Sequence, residues 1–396
     1  MYFATLSAEP RDPILAIIDA FASDRRTDKI DLGIGVYRDA EGGTPVMRVV
    51  KLAEQQLLAE QASKGYLGIE GDRHFVAALQ PILFGTLPRA LDIAGVQSVG
   101  GTGALRLAAD LLALERRDRT VWFGLPTWAN HLPLFAAAGL QTRTFRYVDP
   151  ATQRVDGAAL GDAVAQARQG DVIVVHGCCH NPTGIDLDLE TWREIGVQCA
   201  RKGLLPVVDM AYHGFGHGLD EDAAGLRALL EEVPAALIAY SCSKNFALYR
   251  ERTGALFVVG SGLGVELAMS NLFALARANY SMPPDHGAAV VRTILQSPAL
   301  ARAWREELGE MRTRVRSLRA ALAAHGRRGP VDLVPLGQQN GFFSSLPLDA
   351  GQIMHLREAH GIYIAPNGRI NVAGLAETQL DRFAASLEEL DSCVPA

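Results

Sequence analysis

Apolar and polar positions along the chain alternate between two periods. Short, nearly unbroken apolar runs occur at VQSVGG, TVWFG, DVIVVHG, LLPVVDM, AALIAYS and GALFVVG, and stretches such as GALRLAADLLALERR and LDLETWREIGVQCARKG separate them with apolar residues three and four apart. The first pattern predicts strands and the second amphipathic helices. Strands that are apolar throughout are covered on both faces, so the alternation predicts an α/β fold with a mainly parallel, doubly wound sheet. After about residue 300 the pattern changes to one long charged helix, ARAWREELGEMRTRVRSLRAALAAHG, followed by a mixed segment, which predicts a second, smaller domain. No internal repeat, low-complexity tract or charge run interrupts the sequence.

Composition adds constraints. A chain of 396 residues with 48% hydrophobic and 21% charged residues reads as an ordinary globular protein of two domains, or of one large domain with an appended lobe. Its net charge of −6 gives no electrostatic case for nucleic acid or an anionic membrane. The N-terminal MYFATLSAEPRDP lacks the basic and apolar regions of a signal peptide, and no stretch approaches the roughly 18 apolar residues of a membrane span, so a cytoplasmic location is expected. Five cysteines, Cys178, Cys179, Cys199, Cys242 and Cys393, are odd in number and unevenly spaced, and read as reduced thiols. His176 and His180 flank the Cys178-Cys179 pair, but side chains along an extended run alternate between two faces, so no metal site is expected there.

In an open α/β sheet, ligands lie beyond the carboxyl ends of the strands. Gly101 and Thr102, in GGTGALR, form either an anion cradle at a helix N-terminus or a tight strand-to-helix turn. Trp128 and His131 follow TVWFG, where a tryptophan either packs or offers a stacking face. Asn181 precedes a proline in CCHNPTG, which makes a turn that can present its amide. Asp209, with Tyr212 three residues on, ends LLPVVD as a functional acid or a helix cap. In SCSKNFALYRERTG, Lys244 follows an apolar strand, where poor solvation favours the neutral, nucleophilic amine. Ser241, Ser243 and Arg252 beside it supply donors suited to a phosphate. A lysine amine, a carboxylate, a phenol and a phosphate cup together make a pyridoxal phosphate site.

Taken in order, LGIGVY, YLGI, GGTGALR, WANH, CCHNPTG, DMAY, SCSKN, RERTG, RANYS and GRINVAG resemble the aspartate and aromatic amino acid aminotransferases, fold-type I pyridoxal phosphate enzymes, from about Pro13 to Leu375. The resemblance implies that Lys244 carries the cofactor as a Schiff base and shuttles the proton, that Asp209 keeps the pyridine nitrogen protonated, and that His131 supports Asp209. It implies that Tyr212 and Asn181 hold the phenolic oxygen while Trp128 stacks on the ring. Gly101, Thr102, Ser241, Ser243 and Arg252 would bind the phosphate, with Tyr66 contributed by the neighbouring subunit of a homodimer. Arg369 would grip the substrate α-carboxylate, assisted by Asn181 and the backbone of Gly35, and Arg277 of the other subunit would pair with a side-chain carboxylate.

The same resemblance divides the chain into an N-terminal arm at 1–9, a small domain from 10–44 and 300–396, and a large cofactor domain at 45–299. Val36, Thr44 and Thr102 match the aspartate-selective pattern, whereas Arg38 replaces its lysine and Gly65 and Met282 replace asparagines. An apolar Met282 and a bare Gly65 leave room for an aromatic substrate once Arg277 swings aside. The implied activity is ping-pong transfer of an amino group between aspartate or aromatic amino acids and 2-oxoglutarate. Two alternatives are another pyridoxal phosphate reaction on the same scaffold, a β-decarboxylase or β-lyase, and a non-catalytic amino acid sensor.

Overall fold

The computed structural model describes residues 2–8, 13–87, 91–149 and 152–390. Met1 and Glu9 of the expected arm, and Cys393, lie outside the described residues. The chain forms two compact units, one comprising 1–44, 317–338 and 342–396, the other 45–316 and 339–341.

The larger unit is an α/β structure built on a seven-stranded sheet. In chain order its strands are β1 (Asp92–Val99), β2 (Thr120–Leu125), β3 (Gln141–Arg146), β4 (Val172–His176), β5 (Leu205–Met210), β6 (Ala236–Ser241) and β7 (Thr253–Gly260). They lie in the spatial order β1-β7-β6-β5-β4-β2-β3. All pairings are parallel except those of β7, which runs antiparallel to both β1 and β6. All six apolar runs are strands, fully or nearly fully buried from β4 to β7. The strand that the apolar runs do not reveal is β3, QTRTFR, an edge strand whose residues are mostly exposed.

Helix α1 (Gly100–Glu115) begins immediately after β1 and buries Leu105, Leu107, Ala108 and Leu112 against Val96, Val121 and Leu256 of the sheet. Gly100 and Gly101, shared in the sequence between the strand run VQSVGG and the helix start GGTGALR, are the first residues of this helix. Later, Asp188 caps the helix Leu189–Lys202 by accepting from the amide of Thr191, and Gly203, at φ 68°, ends it in the left-handed conformation. Helix α2 (Leu263–Tyr280) packs on β1 and β7. The long charged helix, α3, runs Pro298–Ala324.

The smaller unit is α+β. Three two-stranded pairings, Ile30–Asp31 with Ile362–Tyr363, Arg327–Arg328 with Val331–Asp332 and Phe343–Ser345 with Arg369–Asn371, accompany helices α4 (Ala350–His360) and α5 (Leu380–Glu388). Its core joins Leu32, Leu318, Leu356, Ile370 and Phe383. Among the described residues, no helix is long and apolar enough to cross a membrane.

Candidate active site

The carboxyl ends of the parallel strands collect most of the residues singled out in the larger unit. β4 and β5 pair so that His176 stands directly across from Asp209, and Asp209 across from Ala239 of β6. The antiparallel β7 starts at this same edge, because Gly254 pairs with Ser241 and Thr253 with Val99, the last residue of β1. The turn into α1, the end of β6 and the start of β7 therefore converge.

At that convergence, Gly100 takes a φ of 67°, and a Cβ built on it would stand 2.7 Å from the Arg252 guanidinium. A Cβ on Gly101 would stand 2.9 Å from Ser241 Cβ, so both positions are possible for glycine alone. Arg252, itself at φ 52°, donates to Tyr249 O at 3.0 Å and to Ser243 Oγ at 3.4 Å. The amide of Ser243 donates to Ser241 Oγ at 3.3 Å. Both serines are buried, and half-buried Thr102 lies in the first turn of α1. Free amides at a helix start, two hydroxyls and a guanidinium form a cup whose chemistry suits a doubly charged phosphate.

Asp209 is buried, and its Oδ2 lies 3.1 Å from Nε2 of His131, which is also buried. The other ring nitrogen of His131 meets Thr127 Oγ1 at 2.7 Å, so both nitrogens are engaged. Burial works to raise the Asp209 carboxyl, but the hydrogen bond and charge of His131, with His176 and Lys244, hold it below the ordinary carboxylate value. The acid is therefore ionised and acts as a fixed negative charge. Lys244, just past β6, holds its amine 4.8 Å from the centre of the buried Tyr212 ring. Asn181 is buried and joined by a cis peptide to Pro182. Half-buried Trp128 meets His131 edge to face at 5.3 Å.

Sequence reasoning set His176 aside, yet it is part of this network. His131, His176, His180 and Tyr147 form a buried file with ring centres 5.0, 4.3 and 4.0 Å apart. Burial, reinforced by His131, pushes the His176 imidazole down to about 3, and burial pushes His180 down as well, so both are neutral. The signal was available, since His176 ends an apolar strand as Asp209 does. The reason given for excluding a metal also needs correction. His176–His180 is not one extended run, because β4 ends at His176 and Cys179 turns the chain at φ 51°. Cys178, Cys179, Cys199 and Cys242 are buried free thiols.

The remaining candidates are dispersed. Tyr66 is 96% exposed and Gly65 is exposed beside it, while the amide of Leu67 reaches the sulfur of half-buried Met282 at 3.1 Å. Arg277, in the last turn of α2, is exposed and meets Ser281 Oγ at 3.3 Å. In the smaller unit, Arg369 lies over the Phe343 ring at 4.3 Å and donates to Gly33 O at 2.7 Å. A Cβ on Gly35 would stand 2.7 Å from Phe343 Cζ, so the backbone must pass that ring as glycine. The segment around it is clamped from both sides. Asn371 donates to the carbonyls of Ile34 and Val36 at 2.6 and 2.7 Å, and Arg38 pairs with buried Asp31 at 2.5 Å. No sequence signal pointed to Phe343 or Asp31, and Asn371, although inside GRINVAG, was given no role.

Residues 27–387 match the family model of aminotransferase class I and II. The chain is 49% identical to the tyrosine aminotransferase of Rhizobium meliloti over 98% of its own length and 100% of the relative's. It is 44% identical to the aspartate aminotransferase of Escherichia coli, covering 94% and 96% of the two chains. Among solved structures it is similar to an aromatic-amino-acid aminotransferase from Burkholderia pseudomallei covalently bound to pyridoxal phosphate, with a TM-score of 0.92 and 36% identity over 98% of this chain and 99% of that one.

Proposed function

Because this chain belongs to the class I and II aminotransferases, we propose that it is a pyridoxal phosphate-dependent transaminase for aspartate and aromatic L-amino acids with 2-oxoglutarate, working by a ping-pong cycle. The observation that carries the reading is the pairing of an ionised, buried Asp209, fixed by His131, with Lys244 beside Tyr212 and the phosphate-type cup. Bound pyridoxal phosphate supplies an electron sink, a protonated ring that stabilises charge left on the substrate's α-carbon.

The side chains fit that cofactor. Gly101, Thr102, Ser241, Ser243 and Arg252 would hold the phosphate, Asp209 would keep its negative charge against the ring nitrogen, and Tyr212 and Asn181 would take the phenolic oxygen while Trp128 would cover a ring face. Lys244 would hold the cofactor through its amine and would serve as the base that moves the proton at the substrate α-carbon. Arg369 receives the α-carboxylate, with Asn181 and Gly35 assisting, and its approach is set by Phe343 beneath it.

Arg277 pairs with the side-chain carboxylate of aspartate or glutamate and yields to an aromatic ring beside Met282 and Gly65. The exposure of Tyr66 and Arg277 supports a homodimer in which these two residues serve the partner's site. A cytoplasmic location is part of the same proposal. The experiment is a set of kcat/KM values for aspartate, tyrosine, phenylalanine and tryptophan with 2-oxoglutarate, each oxo acid measured against glutamate formed. Stoichiometric glutamate with both substrate classes is expected. Turnover that releases carbon dioxide or pyruvate without glutamate would instead assign a lyase.

A further inference from the structure

Three groups of metal-ligating side chains come within 4.8 Å of one another among the described residues. Two are already occupied by other work. His131, His176 and Asp209 belong to the site above, and the Asp222 carboxylate near Cys178 and Cys179 accepts the amides of Gly214, Gly216 and His217 at 2.8, 2.9 and 2.8 Å. The third group, His355, His360 and Glu389, lies in the smaller unit and has no part in transamination.

Helix α4 carries both imidazoles, and Glu389 follows directly on α5, which packs against α4. His360 Nε2 is 3.3 Å from Glu389 Oε2, and the two imidazole centres are 5.4 Å apart. His355 Nε2 is withdrawn from solvent without a hydrogen-bond partner, a costly condition for a polar atom that a bound cation would relieve. The backbone beneath the site is held firmly. Gly361 ends α4 at φ 65°, Arg26 donates to the carbonyls of Arg357 and Glu358 at 2.8 and 2.9 Å, and Arg382 donates to that of His360 at 2.5 Å.

We propose that His355, His360 and Glu389 bind a divalent transition cation of the zinc type, which pins the end of α4 to the segment after α5. Bonds of about 2.1 Å at tetrahedral angles put donor atoms about 3.4 Å apart. The His360–Glu389 pair already stands at 3.3 Å, and no donor pair is wider than 4.8 Å, so side-chain torsion closes the set. Two imidazoles and one carboxylate favour zinc over magnesium or calcium, which take oxygen ligands. The Glu389 side chain is 62% exposed, which gives the ion a route in and leaves a fourth position for water.

The test uses cofactor-loaded protein stripped with a chelator and titrated with zinc sulfate, followed by calorimetry and thermal melting. One zinc per chain is expected at this site, with a rise in Tm that magnesium chloride does not reproduce. His355→Gln and Glu389→Gln, made separately, should each weaken zinc binding by roughly tenfold or more while leaving the metal-free Tm close to that of the parent. Zinc affinity unchanged in both variants would overturn the assignment. So would the absence of heat and of any Tm rise in the parent, or an equal rise with magnesium.

Discussion

Arg277 and Arg369 are both read as holding a substrate carboxylate, but the protein treats them in opposite ways. Arg369 is half-buried, seated on Phe343, bonded to Gly33 O and carried by a strand paired with Phe343–Ser345. Arg277 ends a helix, stands exposed and meets Ser281 Oγ at a long 3.3 Å. In the proposed roles, a group that every substrate possesses would be met by a cation whose direction is fixed in advance, so little ordering would remain to be done on binding. A group that only some substrates possess would, in the proposed roles, be met by an arginine held, among the described residues of its own chain, by a single long bond. That difference in anchoring is a physical basis for proposing that both a carboxylate and an aromatic ring are accepted.

The largest effect that would test this division lies upstream of both arginines. Lys244→Ala should lower kcat at least about 10^4-fold for every amino acid, since no other group replaces its amine, while the cofactor still binds non-covalently as read by its absorbance. Arg369→Gln comes next. It should cut kcat/KM by about 10^2 to 10^3-fold for aspartate and phenylalanine alike, and a loss confined to one of them would break the comparison. Arg277→Gln should cost aspartate roughly 10^2-fold and phenylalanine less than about threefold. Equal losses would show that the exposed arginine is not a selective group.

Smaller effects sharpen the view of the buried side. His131→Leu removes the bond that holds the Asp209 carboxyl down, so burial then pushes that acid up and the acidic limb of the kcat profile should move toward neutral pH. Stability should show the imidazole file. His176, at about 3, and His180 resist protonation when folded but take up protons near the ordinary histidine value of 6.5 when unfolded. The unfolded chain therefore binds more protons between these values, and Tm should fall as pH drops from 6.5 toward about 3. His176→Gln should flatten that slope, and an unchanged slope would remove His176 as its source.

The residues proposed for the cofactor could be singled out in the sequence for a definite reason. Asp209 lies at the end of its apolar strand, and the glycines of α1, Lys244 and Asn181 follow theirs within five residues, and a parallel sheet gathers strand ends without further instruction. Edge strand β3 was not legible, because mostly exposed QTRTFR lacks the continuous apolar run that marks a buried strand. His176 was misread through its neighbouring cysteines, since it is the register between β4 and β5 that sets it across from Asp209, the acid that His131 bonds.

By itself, the sequence determined the α/β order of elements, the strand-end lysine and acid, the residues proposed for the phosphate cup, and the resemblance that links them to transamination. These are local properties, written in periodicity and in residues adjacent along the chain. The tertiary structure alone decided that Phe343 lies under Arg369, that Asp31 and Asn371 clamp the segment around Gly35, that three buried imidazoles stand in file beside Asp209, and that His355, His360 and Glu389 meet. Most of these contacts join residues far apart in sequence, so they depend on packing and register, which no local pattern encodes.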